Sequence, residues 1–308
     1  MTDAEGTRHG NGVGPVGSID AELASQPDCW RRAASLMTDV RGLLPEPGER
    51  VAVAGCGTSW FIAQSYAALR EAAAQGETDA FAASEMPAHR HYDCVIVLSR
   101  SGTTTEVLDL LARLDGSVRT VAITAVAESP VAAAADAVIT LDFADEASVV
   151  QTRFATSELA MLRAHLGHDI GKVAADAERV LASSLPDELA EASQFTFLGT
   201  GWTFGLAQEA ALKLREAASM WTEAYPAMEY RHGPIAVTRP GSIVWLLGTA
   251  PLGLTGEIAA TGGRAWQADH DPMAELVRVH MLAANAARAR GLDPDRPRNL
   301  TRSVILAR

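Results

Sequence analysis

The sequence predicts an α/β protein: two similar, doubly wound parallel-sheet domains in tandem. Three observations carry this. Short apolar runs rich in β-branched residues alternate with helical patterns along most of the chain. A Gly-x-Gly turn and the helix behind it recur at one fixed offset. Turns rich in hydroxyl side chains fall at the ends of apolar runs, where parallel α/β sheets hold their ligands.

Taken in order, residues 1–18 are Gly-rich and polar and predict a disordered tail with no signal-peptide pattern. A helix is expected over 19–44, ended by Pro45 and Pro47. Residues 51–54 read as a strand, 55–59 as a tight turn, and 60–74 as a helix. The next strand is expected at 81–85, and a fully apolar one at 95–98. A helical pattern then runs through Val107, Leu110, Leu111 and Leu114. Residues 120–124 and 138–141 read as strands, with Ser129-Pro130 opening a helix between them. Residues 158–182 are strongly helical and carry the junction between a first domain, 19–165, and a second, 166–308. The pattern then restarts, with a strand at 195–198, a turn at 199–201 and a helix over 202–221. Gly55, Gly57, Ala63 and Gln64 recur as Gly199, Gly201, Ala207 and Gln208. The strand at 242–247 corresponds to that at 95–98, but the loop after it lacks a hydroxyl cluster.

Composition narrows the function. A net charge of −12 argues against nucleic acid. No uninterrupted apolar stretch is long enough to cross a membrane. Cys29, Cys56 and Cys94 are scattered, which predicts a reducing, cytoplasmic setting and no zinc or other metal site. Lys172 and Lys213 are the only lysines, so only they could form an imine with a carbonyl.

The run Val95-Ile-Val-Leu-Ser-Arg-Ser-Gly-Thr-Thr-Thr-Glu106 is the most informative. It passes from a buried strand into a helix start through seven residues, five of them hydroxyl-bearing. Free N–H groups and the helix dipole favour an anion there, and Gly102 permits close approach. A simple capping box would need one hydroxyl, not five, so a phosphate-binding loop is expected. Glu209, Lys213 and Glu216 share one face of an otherwise apolar helix. An exposed ion-pair ladder is the plain alternative; the apolar surroundings favour a buried proton-transfer group. Among eight histidines, His232, ahead of Gly233-Pro234, is the best acid–base candidate. Residues 291–304, with Pro294 and Pro297, read as a built tail. A dinucleotide site at Gly55-Cys-Gly57 is disfavoured, because Trp60 stands where the third glycine belongs.

These residues resemble the SIS (sugar isomerase) family. They are most similar to the isomerase half of glucosamine-6-phosphate synthase and to stand-alone amino-sugar-phosphate isomerases and deaminases. The matching motifs run in order from Glu22-Leu-Ala-Ser-Gln-Pro27 nearly to the end. They include Cys56-Gly-Thr-Ser59, Ser99-Arg-Ser-Gly-Thr-Thr104, Ala210-Ala-Leu-Lys-Leu-Arg-Glu216, Glu229-Tyr-Arg-His-Gly-Pro234 and Pro297-Arg-Asn-Leu-Thr-Arg-Ser-Val304. The resemblance implies SIS-type, flavodoxin-like domains and a phosphosugar isomerase moving a proton between C1 and C2 of a hexose or hexosamine 6-phosphate. Deamination of an amino sugar phosphate is a variant of that chemistry.

The resemblance also implies residue roles. Thr58, Ser59, Ser99, Arg100, Ser101 and Thr104 would hold the phosphate, with Arg100 standing where the synthase has Gln. Glu216 would be the base and His232 would assist ring opening, reaching a neighbouring subunit of a homodimer with shared sites. Lys213 and Glu209 would support Glu216. Gln151 and Thr152 lie in a stretch similar to the family's substrate loop. Arg302 replaces the lysine that forms an imine in the synthase, and would instead stabilise an oxyanion or hold a hydroxyl. No cofactor or metal is implied. With no Cys at position 2 and no amidotransferase domain ahead of the motifs, glutaminase activity is not expected. The alternative is a sugar-phosphate sensor with weak or no turnover.

Overall fold

The computed structural model describes residues 18–306 except 88, 115 and 117. The expected tail thus lies outside the described residues save for Ser18. That residue opens helix α1 (Ser18–Ala24), and its N–H donates to Asp295 at 3.2 Å. The long helix expected over 19–44 is broken into α1, α2 (Gln26–Ser35), α3 (Met37–Val40) and a 3-10 turn. Pro27 explains the first break: with no N–H to give, it fits the first turn of a new helix.

Two parallel sheets follow. The first holds β1 (Val51–Gly55), β2 (Thr78–Ala82), β3 (Cys94–Leu98), β4 (Arg119–Thr124) and β5 (Ala137–Thr140) in the order β2-β1-β3-β4-β5. Helices α4 (Thr58–Ala72), α5 (Thr105–Leu114) and α6 (Pro130–Ala134) connect them. This is the flavodoxin-like order, which switches direction beside β1 and β3. The expected 81–85 strand is displaced: β2 begins at Thr78, and 83–85 form a 3-10 turn. An edge strand carrying Asp79 hides its first half from an apolar reading.

The predicted helix over 158–182 is two helices, α7 (Arg153–His165) and α8 (Ile170–Ala182). Gly167, at φ +85°, turns the chain between them, and Asp169 caps α8 by accepting from Lys172 N–H at 3.3 Å. After α9 (Asp187–Ala190) comes the second sheet, β6 (Gln194–Gly199), β7 (Thr222–Pro226), β8 (Ser242–Leu247) and β9 (Arg264–Gln267), ordered β7-β6-β8-β9. Its helices are α10 (Thr203–Ala218), α11 (Leu254–Ala260) and α12 (Pro272–Ala289). β7, α11, β9 and α12 have no counterpart in the sequence reading.

One apolar cluster joins the inner faces of both sheets through α2, α4, α7, α8, α10 and α12. It includes Val53 and Ile96 from the first sheet and Phe197 and Trp245 from the second. Separate clusters cover the outer faces, Val95 and Val97 against α5 in one half, Val244 and Leu246 against α11 in the other. Helices α4 and α10 meet backbone to backbone inside the shared core. A Cβ on Gly205 would fall 2.3 Å from the Phe61 carbonyl oxygen. Among the described residues no helix is long and apolar enough to cross a membrane.

Candidate active site

β1 and β3 are hydrogen-bonded neighbours, so α4 and α5 start side by side at the same end of the first sheet. Thr58 and Ser59 are buried in the first turn of α4. Residues 99–104 form a cup before α5. Gly102 N–H donates to Ser99 O at 3.3 Å and to Ser99 Oγ at 3.2 Å. Ser99 Oγ lies 3.4 Å from Thr104 Oγ1, and Thr103 N–H donates to Ser101 Oγ at 3.2 Å. Gly102 has φ +64°, and a Cβ there would fall 2.1 Å from Ser129 Oγ. Val131 N–H donates to the Gly102 carbonyl at 2.9 Å, so the α6 cap braces the cup from behind.

The C-terminal tail closes this cup. Ser303 Oγ lies 3.0 Å from Ser101 Oγ and 2.9 Å from Thr103 Oγ1. Thr105 N–H donates to Val304 O at 3.2 Å, and Leu306 N–H donates to Thr105 Oγ1 at 3.0 Å. Arg302 pairs with the Asp145 carboxylate and the Glu146 carbonyl. Its guanidinium is thus a latch between the tail and the 145–153 segment, and not, in this arrangement, a free oxyanion partner.

Arg100 takes a different place from the one expected. The sequence reading placed it among the phosphate ligands. The structure turns it inward, 2% exposed, where it pairs with Glu146 at 3.3 Å and donates to backbone carbonyls. A buried cation needs a countercharge and acceptors, and Glu146 with these carbonyls supplies them to its two terminal nitrogens.

Sequence reasoning missed Glu146 and Glu22. Glu146 accepts from Thr152 N–H at 2.6 Å, Thr152 Oγ1 at 2.9 Å and Arg153 N–H at 2.8 Å. Thr152 therefore faces Glu146 in this arrangement; Gln151 follows the same turn with its Oε1 enclosed and without a hydrogen-bond partner among the described residues. Glu22 accepts from Ala147 N–H at 2.6 Å and from the Ser148 hydroxyl. Burial pushes the Glu146 carboxyl up, against the pull of Arg100. Glu158 on α7 is wholly enclosed, and burial with Glu146 nearby pushes it well above the usual carboxylate range. Acidic residues set in apolar helical surroundings were the available signal for Glu22 and Glu158.

The second half contributes α10. Glu209 and Lys213 are fully enclosed, while Glu216 keeps 21% of its side chain open to solvent. Lys213 Nζ lies 2.5 Å from Glu216 Oε2 and 3.5 Å from Glu209 Oε1. Burial pushes the Glu209 carboxyl up to about 7; the Lys213 ammonium works against this, Glu216 adds to it, and the Thr58 hydroxyl favours the charged form. Burial opposes the Lys213 charge, but the two carboxylates outweigh it and hold its pKa above the ordinary lysine value. The start of α4 and the α10 ladder thus meet where the halves join. His232 does not join them: it is exposed on a 3-10 turn over Glu229–His232.

Comparison with known proteins agrees with this layout. Residues 46–166 match the model of the SIS domain. The chain is 28% identical over 303 residues to the isomerizing glutamine–fructose-6-phosphate aminotransferase of Sulfurisphaera tokodaii, covering 84% of this chain and 50% of that protein. It is 30% identical over 317 residues to the Xanthomonas campestris enzyme of the same name, covering 84% and 52%. The chain therefore spans about half the length of the curated relatives it matches. Glucosamine-6-phosphate deaminase from Thermotoga maritima superposes with a TM-score of 0.79 at 24% identity, covering 94% of this chain and 100% of that one. Tagatose-6-phosphate ketose/aldose isomerase from Escherichia coli superposes at 0.76 with 18% identity, covering 91% and 95%. Those two likenesses concern the fold. With the domain match over residues 46–166 and the motifs in order, the chain is similar to SIS-domain proteins.

Proposed function

We propose that this chain is a phosphosugar isomerase acting on a hexose or hexosamine 6-phosphate, the substrate class in its relatives' names. The observation that carries the reading is the α10 ladder: two carboxylates share one buried ammonium, and only Glu216 opens to solvent. The cup hydroxyls of Ser99, Ser101 and Thr104, with Thr58 and Ser59, would hold the phosphate at two helix N-termini. Glu216 would take the proton from C2 of the open-chain aldose, leaving an enediol, and return it to C1 to give the ketose. Lys213 aims Glu216 rather than attacking the sugar carbonyl, because an ammonium held between two carboxylates is a poor nucleophile. Lys172 is exposed on α8, and Arg302 cannot form an imine. The chemistry supported is therefore proton transfer without a covalent sugar–enzyme bond.

The ring-opening role of His232 belongs to the same proposal. It sits on a surface that also exposes Met228, Val237 and Leu252, the apolar character expected of a face covered by a second copy in a homodimer.

Proton NMR in D₂O with glucosamine, fructose and galactosamine 6-phosphates tests the reading. Exchange at C1 or C2 is expected with at least one sugar, and Glu216→Gln should slow it by about 10²–10⁴-fold while binding survives. Saturable binding without exchange for every sugar would replace the enzyme by a sensor. That second reading has one observation in its favour: the tail's Ser303 already fills hydrogen bonds of the cup.

A further inference from the structure

We infer that Arg100 is a positioning residue that clamps the cup, the 145–153 segment and the C-terminal tail into one closed unit, and that it is not a phosphate ligand. Its guanidinium reaches two separate stretches of chain, 146–149 and the tail at residue 302. One terminal nitrogen donates to Ser148 O at 3.1 Å and pairs with Glu146 at 3.3 Å. The other donates to Val149 O at 3.0 Å and to Arg302 O at 3.3 Å. Its own carbonyl accepts from Ala125 N–H at 3.1 Å and Thr124 Oγ1 at 3.3 Å, so the clamp is rooted in the end of β4. Nε is enclosed without an acceptor. A phosphate could reach it only by opening the segments it holds together.

The residue type fits this task. A planar guanidinium with five donors can serve four acceptors at once, more than the three donors of an ammonium or the two of a carboxamide. The charge is balanced locally, because Glu146 is itself anchored by the Thr152 and Arg153 N–H groups. The bond to Arg302 O is the only one of the four that leaves the first half of the chain. The tail can therefore lift while the rest of the clamp stays in place. Arg302 and Ser303 add their own contacts to Asp145 and to the cup, so tail docking and cup geometry are linked through residue 100.

The test uses the full chain and two variants. Arg100→Gln with Glu146→Gln removes both buried charges together, and Arg100→Lys keeps the charge without the reach. In the double variant, the amides of Thr105 and Leu306 should exchange at least about 10-fold faster. Inorganic phosphate should bind within about 3-fold of the parent, and kcat should fall about 10-fold or more with a smaller change in KM. Arg100→Lys should fall between; it carries the same readouts if the double variant does not fold. Weakened phosphate binding by about 10-fold or more would overturn the inference, as would parental tail exchange. The kinetic arm rests on the phosphosugar reading. If the parent turns over no sugar phosphate, that reading fails, and the exchange and phosphate arms still decide the role of Arg100.

Discussion

The two halves of the chain share a skeleton and divide the chemistry. Gly57 and Gly201 both sit at φ +56° in the turn after the first strand of their sheet. Gly55 and Gly199 both lie where a Cβ would strike the residue four positions on, Ser59 in one half and Thr203 in the other. The strand orders match for the first four strands, and only the first sheet has a fifth. What differs is the dressing of equivalent places. After β3 stand Ser99, Ser101, Thr103, Thr104 and Thr105; after β8 stand Gly248-Thr-Ala-Pro-Leu-Gly253, with one hydroxyl. Conversely α4 is apolar where α10 carries Lys213: the position matching Lys213 is Leu69. One scaffold carries a hydroxyl cluster at a helix start, and the other carries titratable groups along a helix. The lesson is that the fold supplies placement while a few side chains supply chemistry.

Substitutions can break or sharpen this comparison. The largest effect is expected at the contact that joins the halves. Gly205→Ala drives a methyl into the α4 backbone and should destabilise the chain by about 3 kcal/mol in denaturant unfolding. An unchanged midpoint would show that α4 and α10 are free to separate. Next come matched glycines on the two loops. Gly102→Ala meets Ser129 as well as backbone strain and should cost about 2–3 kcal/mol together with phosphate binding. Gly253→Ala has φ +79° to contend with but ordinary space around it, and should cost about 1 kcal/mol with phosphate binding intact. Equal losses of phosphate binding at both sites would refute the asymmetry.

The smallest effect is a pH slope. Folded Glu209 keeps its proton up to about pH 7, against an ordinary value of 4.5. Between these values the folded chain binds the extra proton, so this contribution is full below the window and is lost as pH rises through it. Glu209→Gln should remove a slope of up to about 1.4 kcal/mol per pH unit there. His280 on α12 tilts the opposite way: burial, with Lys213, pushes it down to about 3, so stability is lost as pH falls from 6.5. The quantity to measure is therefore the difference between variant and parent from pH 4.5 to 7. A flat difference would mean that Glu209 is ionised throughout.

Legibility followed burial. β1, β3 and β8 are enclosed on both faces and read as unbroken apolar runs, which is why their positions could be found from sequence. β2, β7 and β9 are edge strands with half-exposed or exposed residues, and their polar positions disguise them. The breaks at Pro27 and Gly167 are local signals that a long helical pattern outweighed. At the site, the hydroxyl excess of the cup and the charges on an apolar α10 stood out because they violate the composition of their surroundings. The inward turn of Arg100 did not, since its acceptors lie far along the chain and include the tail. Nor did the role of Glu146, half of whose carboxylate partners are backbone N–H groups that no side-chain pattern announces.

Under the proposed function, the backbone contact at Gly205 bears on substrate choice. It sets the separation between the first turn of α4 and the carboxylate ladder of α10, and the shared core makes that separation costly to change. Under the proposed function the two points would form a ruler for a sugar phosphate: one end would grip the phosphate and the other would read the carbon that loses its proton. A chain one carbon shorter would present the wrong atom to Glu216 even when its phosphate is held perfectly well.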